Sequence, residues 1–163
     1  MPRSQIAFEA AAGAAVPFFV YRSLAMTPFH LAFPVRDLQE TRIFYGEVLG
    51  CAIGRSSSTW VDFDLYGHQM SAHLRPQATV AANDGKVDGI AVPIPHFGAV
   101  LLMDDWERLA ARLEARTDID WLERPMVRFK GEPGEQATLF IRDPSGNALE
   151  FKGFRSLEQV FAH

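Results

Sequence analysis

Cysteine is nearly absent from this chain. One residue, Cys51, in 163 leaves no intrachain disulfide to form and fits a reducing, cytoplasmic compartment. No basic excess exists either. Sixteen Lys and Arg face twenty Asp and Glu, for a formal net charge of −4, which argues against nucleic acid as a partner. Long apolar runs are also missing. The nearest candidate, "AFEAAAGAAVPFFVY", is interrupted by Glu9 and Pro17 and is too short to span a bilayer. Only Arg3 precedes it, fewer positive charges than a secretory signal needs. Residues 1–26 therefore read as an extension outside the folded core, and no membrane association is expected.

The chain does contain a repeat. "TPFHLAFPVRDLQETRIFYGEVLG" and "VPIPHFGAVLLMDDWERL" each place a histidine, His30 or His96, before a short strand, an acidic turn and a helix. In the first copy Asp37 is the expected N-cap, with Glu40 completing a capping-box pattern and Gly50 closing the helix. "CAIGRS", "TWVDFDLY" and "QMSAHLR" follow as strands, the last two turning at "GH". In the second copy Asp104 or Asp105 is the expected cap. "WLERPMVRF", interrupted by Pro125, then reads as a strand or strand pair. "QATLFIRD" and "NALEFKGF" form a hairpin across "DPSGN".

Proline and Asn-Asp-Gly make the stretch between the copies a linker. The expected organisation is an extension (1–26), a first βαβββ module (27–78), a linker (79–93), a second βαβββ module (94–155) and a tail helix (156–163). The fold class is α+β, with the tandem modules forming a curled mixed sheet, a half-barrel with its helices outside.

Strand parity sorts the faces. Leu31, Phe33 and Val35 suit a core, as do Met70, Ala72 and Leu74, Phe97, Ala99 and Leu101, and Leu149 and Phe151. His30, Ser71, His73, His96, Glu150 and Lys152 fall on the opposite faces. Two imidazoles and a carboxylate converging on a concave surface would make a facial triad for a divalent metal, with positions left open for substrate. His30, His96 and Glu150 are that candidate set.

His73 is set apart by register. Glu150 stands four residues after Gly146, but the residue four after Gly67 is Ser71. His73 lies about 7 Å further along the strand. A bulge would bring it in as a fourth ligand; a regular strand leaves it as a proton shuttle beside the site. The same parity nominates Trp60, Tyr66 and Phe140 as walls for a planar ligand, and Arg75, Arg142 and Lys152 as anion contacts.

The opening "HLAFPVRDLQETRIFYGEVLG" and the ending "IRDPSGNALEF" resemble the vicinal oxygen chelate superfamily, which contains glyoxalase I, bleomycin- and fosfomycin-resistance proteins and type I extradiol dioxygenases. The resemblance covers residues 27–155. "GHQMSAHL" with "VPIPHFGAVLL" resembles a bacterial group described as predicted extradiol-type dioxygenases. It implies a metal-dependent enzyme acting on a small catechol-like molecule, with His30, His96 and Glu150 as ligands and Fe(II) favoured over Zn, Ni or Mn.

His73 and Tyr66 would be catalytic, with Trp60, Phe140 and Arg142 against the substrate. The extradiol pattern departs at Phe140, where that group has Tyr, and at "GEP", residues 131–133, where it has an upstream His. A glyoxalase-like lyase or isomerase on a non-redox metal, and a bleomycin-resistance-like binding protein, are the alternatives. Homodimers are common in the superfamily, and one is expected here.

Overall fold

The computed structural model describes residues 27–77, 83–87 and 90–161. The extension of residues 1–26 and the terminal His163 lie outside them. Ten strands run in chain order: β1 His30–Val35, β2 Ala52–Ser56, β3 Trp60–Leu65, β4 His68–Leu74, β5 Asn83–Val87, β6 Ile90–Ile94, β7 Phe97–Leu102, β8 Asp120–Arg128, β9 Gln136–Arg142 and β10 Ala148–Phe154. Helix α1, Leu38–Arg42, continues into a π-helical turn, Ile43–Val48. Helix α2 is Met103–Glu114, and a 3₁₀ turn, Leu157–Phe161, ends the described chain.

The strands form two unclosed four-stranded mixed sheets of identical topology, β1-β4-β3-β2 and β7-β10-β9-β8. In each sheet the first strand of the module runs parallel to the last, and the remaining pairs are antiparallel. This is the α+β, tandem βαβββ arrangement expected from the repeat. Residues 79–93, expected as a plain linker, carry the hairpin β5–β6 instead. "IAVPI" alternates poorly, and Pro93 falls within β6, so the stretch has little strand signal of its own.

Local chemistry explains the element ends. Asp37 caps α1 as expected, its Oδ1 accepting from the Glu40 N–H at 2.8 Å. Helix α2 is capped two residues before the earlier of the two expected caps, Asp104. Leu102 is the N-cap with no side-chain cap bond, and Asp104 and Asp105 lie in the first turn, where their charge suits the positive end of the helix. The β3–β4 connection is a two-residue turn in which Tyr66 (φ 53°) and Gly67 (φ 89°) both have positive φ, as right-twisted hairpins favour. His68, the second residue of the expected "GH" turn, opens β4, and its Nδ1 accepts from the Phe29 N–H at 3.0 Å. Strand β8 runs through Pro125 as one strand, tolerated because it lies at a sheet edge with shifted register.

One core joins the modules. Phe33, Val35, Tyr45, Val61, Phe63 and Leu65 of the first cluster with Leu101, Trp106, Leu113, Leu139, Ile141, Leu149 and Phe151 of the second. Phe33 on β1 and Phe97 on β7 have ring centroids 5.0 Å apart, so the opening strands of the modules are neighbours. Polar contacts fix the joint: Tyr45 Oη donates to Asp143 Oδ2 (3.1 Å), Asn147 Nδ2 to the Pro34 carbonyl (3.0 Å) and Arg36 N to Ser145 Oγ (2.9 Å). The superfamily-like strings "FYGEVLG" and "DPSGN" therefore meet across the module boundary. Trp106 Nε1 donates to the Phe151 carbonyl (2.9 Å), seating α2 on β10. Among the described residues no helix is long and apolar enough to cross a membrane.

Candidate metal centre

Glu150 is the central group of the second module's outer face. It pairs in register with Gly98 on β7 and Phe140 on β9, and it is a carboxylate only 7 % exposed. Burying a carboxylate is costly unless its oxygens are satisfied. Here Thr138 Oγ1 donates to Oε1 at 2.9 Å, while His96 Nε2 and Lys152 Nζ approach Oε2 at 3.2 and 3.5 Å. Burial pushes the Glu150 carboxyl up, but His96, Lys152 and Thr138 together bring it below its ordinary value. Gly98 is obligatory opposite it, because a Cβ there would overlap the Glu150 backbone carbonyl.

His96 is held by its other nitrogen. Nδ1 lies 2.7 Å from the Pro93 carbonyl oxygen, which can only accept, so Nδ1 carries the hydrogen. In neutral imidazole Nε2 then presents a lone pair to a carboxylate oxygen 3.2 Å away. Two acceptors at that distance require a cation between them, either the proton of an imidazolium or a metal ion. The hydrogen bond to Glu150 accordingly raises the His96 pKa, against the opposing effect of burial. A backbone-carbonyl partner on the remote nitrogen and a hydroxyl on the carboxylate are also the supports that metal ligands use. Imidazole and carboxylate are donor types that a divalent ion accepts, and the hydrogen bonds to Pro93 and Thr138 hold both side chains in place.

The other expected residues are distributed as follows. His30 begins β1, pairs with Gln69 on β4 and is exposed. Among the described residues, no three His, Cys, Asp or Glu side chains gather closely enough to hold a metal ion, so His30 does not join His96 and Glu150 in this conformation. His73 pairs with Pro34 and Trp60 in an unbroken register. The bulge that would have made it a ligand is absent, and it stays one strand repeat beyond Ser71. Trp60, half-buried, lies opposite His73.

Phe140 is buried, with its ring edge-on to His96 at 5.4 Å. Arg142 is half-exposed and 3.7 Å from Asp120 at the sheet edge. Tyr66 departs from its expected face. The positive-φ turn carries its ring to 6.4 Å from Phe151, a core residue of the second module.

Asp62 on β3, in register with Ser71, is a buried acid that strand alternation gave no reason to single out. It pairs with Ser71, is 6 % exposed and accepts from Ser71 Oγ (2.6 Å), Gln69 Nε2 (3.1 Å) and Arg55 (3.4 Å). Only the strand pairing reveals that these donors come from two neighbouring strands.

The model of the Glyoxalase/Bleomycin resistance protein/Dioxygenase superfamily matches residues 27–151. The chain belongs to that superfamily. A glyoxalase/bleomycin resistance protein/dioxygenase from Alicyclobacillus acidocaldarius is similar at 29% identity, covering 83% of this chain and 96% of its own, with a TM-score of 0.68. Two further structures share the fold. Lactoylglutathione lyase from Agrobacterium tumefaciens is 18% identical over 81% of this chain and 96% of its own (TM-score 0.55). The fosfomycin resistance protein FosX from Listeria monocytogenes is 14% identical over 85% and 100% (TM-score 0.60). The search of curated proteins returns no match.

Proposed function

We propose that this superfamily member is a metal-dependent enzyme of the extradiol dioxygenase type, acting on a small catechol-like molecule, with His96, Glu150 and His30 as its ligands. The observation that carries the reading is the facing pair, His96 Nε2 and Glu150 Oε2 at 3.2 Å, with Nδ1 committed to Pro93. His30 is the proposed third ligand. It opens β1 as His96 precedes β7, and the Phe33–Phe97 contact sets those strands side by side. A divalent ion bound there, Fe(II) by preference and otherwise Zn, Ni or Mn, supplies Lewis acidity to a chelating substrate.

The chain's own residues supply the rest. Ser71 occupies the register position that Glu150 has in the other module, so the first module offers no matching carboxylate ligand. That favours a three-ligand site with open positions over the four-ligand lyase arrangement. Phe140 has no phenol to move a proton, and Tyr66 packs elsewhere. His73, half-exposed beside Trp60, is the imidazole available for proton transfer.

A cytoplasmic homodimer completes the proposal. Cys51 is buried, its thiol pushed up to about 12 by burial and the nearby Asp64 charge. Edge strands β2 and β8 expose Ile53 and Val127 to a second copy, and the native mass in solution tests that assembly.

Anaerobic reconstitution with Fe(II), followed by oxygen uptake on a panel of catechols, tests the activity. Iron-dependent uptake is expected. Tight metal binding without uptake would transfer the protein to the lyase or isomerase branch.

A further inference from the structure

Strand parity singles out Lys152 as an anion contact, and the function proposed above leaves it unused. Lys152 pairs in register with Val100 on β7 and with Thr138 on β9, and Thr138 pairs with Met126 on β8. These four residues form one row across the outer face of the second sheet, about 14 Å wide at about 4.8 Å between strands. Residues two apart on a strand share a face, so this row lies beside that of Gly98, Glu150 and Phe140. The row is open to solvent: Val100 is 43 % exposed and the Lys152 side chain 35 %, while Met126 is half-buried. It is an apolar shelf with one cation in it.

Lys152 is positioned without being saturated. Its polar partner among the described residues is Glu150 Oε2, at 3.5 Å. That is well beyond the roughly 2.7–2.9 Å of a charge-assisted hydrogen bond. An ammonium has three donors, so the Glu150 contact orients the group and leaves donors for a ligand. Charge is also graded across the face. Glu150 shares its row with Glu123 through Phe140, whereas Arg128 lies on the opposite side of Lys152, two residues beyond Met126 on β8. An anion over the row meets Lys152 directly, has a second cation beyond it and is turned away from the acidic row.

From this arrangement we infer that the row is a binding subsite for a small aromatic carboxylate, with the carboxylate on Lys152 Nζ and the ring on Val100, one strand away. A singly charged acid matches the single ammonium. Phosphate would need more donors than the row offers, because the Thr138 hydroxyl is already committed to Glu150. The subsite lies wholly on the second sheet and requires no metal, so it stands or falls separately from the functional reading above.

The test titrates benzoate, and benzamide as its uncharged isostere, into the ¹⁵N-labelled, metal-free full chain, following amide chemical shifts. Wild type should bind benzoate about tenfold more tightly than benzamide, as a hydrogen bond to a charged group supplies, with the largest shifts at Val100 and Lys152. Lys152→Met should bring the two affinities together, and Lys152→Arg should keep the preference. Val100→Ser should weaken both ligands alike, because it reads the ring and not the charge. Thermal unfolding of each variant confirms that it is folded. Equal affinities in wild type, a preference that survives in Lys152→Met, or shifts confined to the first sheet would each overturn the inference. Fe(II) binding plays no part in any of these outcomes.

Discussion

The outer faces of the two modules are built on the same strand topology and differ in almost every side chain. On the second, the carboxylate lies next to the opening strand, against a glycine, with His96 and Lys152 converging on one oxygen. On the first, the carboxylate is one strand further in, spanned by Ser71, Gln69 and Arg55, and the opening strand carries Ala32. His73 stands where the other face has Lys152, and Trp60 where it has Thr138. The topology sets the rows. Chemistry follows from which strand in a row holds the charge: Glu150 faces a histidine nitrogen and calls for a cation, whereas Asp62 is already saturated by donors.

The sharpest way to break this comparison is at the glycine. Gly98→Ala should drive a methyl group into the Glu150 backbone carbonyl and separate β7 from β10, at a cost on the order of 3 kcal/mol. The reverse change at the equivalent place, Ala32→Gly, should cost only about 0.5–1 kcal/mol. Chemical denaturation of the two variants measures the difference, and equal losses would mean that the faces are not packed differently.

His73→Ala addresses the proton. With β4 regular, it should leave metal content intact and lower turnover about 100-fold or more, in the range of a lost general acid or base. Co-loss of metal and turnover would return His73 to the ligand set.

Thr138→Val removes the hydroxyl that orients Glu150 Oε1. It should weaken metal binding about 10- to 100-fold, as lost support of a ligand does. The matching change on the other face, Trp60→Phe, should leave metal affinity alone.

The smallest effect is on stability against pH in the metal-free protein. The His96 pKa is raised above its ordinary 6.5, so its contribution is full below that value and is lost as pH rises through the higher folded value. The Glu150 pKa is lowered from its ordinary 4.5, so its contribution is present above that value and is lost as pH falls through the lower folded one. Both contributions are full between about 4.5 and 6.5. The Tm difference between wild type and Glu150→Gln should peak in that window, at about 2–4 °C for roughly 1 kcal/mol. A difference that does not change with pH would remove the ionic pairing from the account.

Much of this architecture could be read from alternation and spacing. Period-2 parity separated Leu149 and Phe151 from Glu150, and Met70 and Ala72 from Ser71 and His73, because those strands are regular and apolar side chains alternate with polar ones along them. Parity failed at Tyr66, where positive φ in the hairpin turn reverses the direction in which a side chain leaves the strand. It was silent on the β5–β6 hairpin, whose residues lack clear alternation. Asp62 was beyond it for a different reason. A buried acid and a solvated one have the same parity, and only the cross-strand register shows Ser71 and Gln69 donating to it. The separation of His30 from the His96–Glu150 pair likewise depends on how the modules join, which strand patterns do not encode.

The central claim is that His96, Glu150 and His30 hold one divalent ion. Anaerobic calorimetric titration of Fe(II), with Mn(II) as a redox-silent control, into wild type, Glu150→Ala and His30→Ala tests it most directly. The account predicts one ion per chain in wild type and at least a 100-fold loss of affinity in both folded variants, beyond what loss of a supporting contact produces. Stoichiometric binding retained by Glu150→Ala would contradict it.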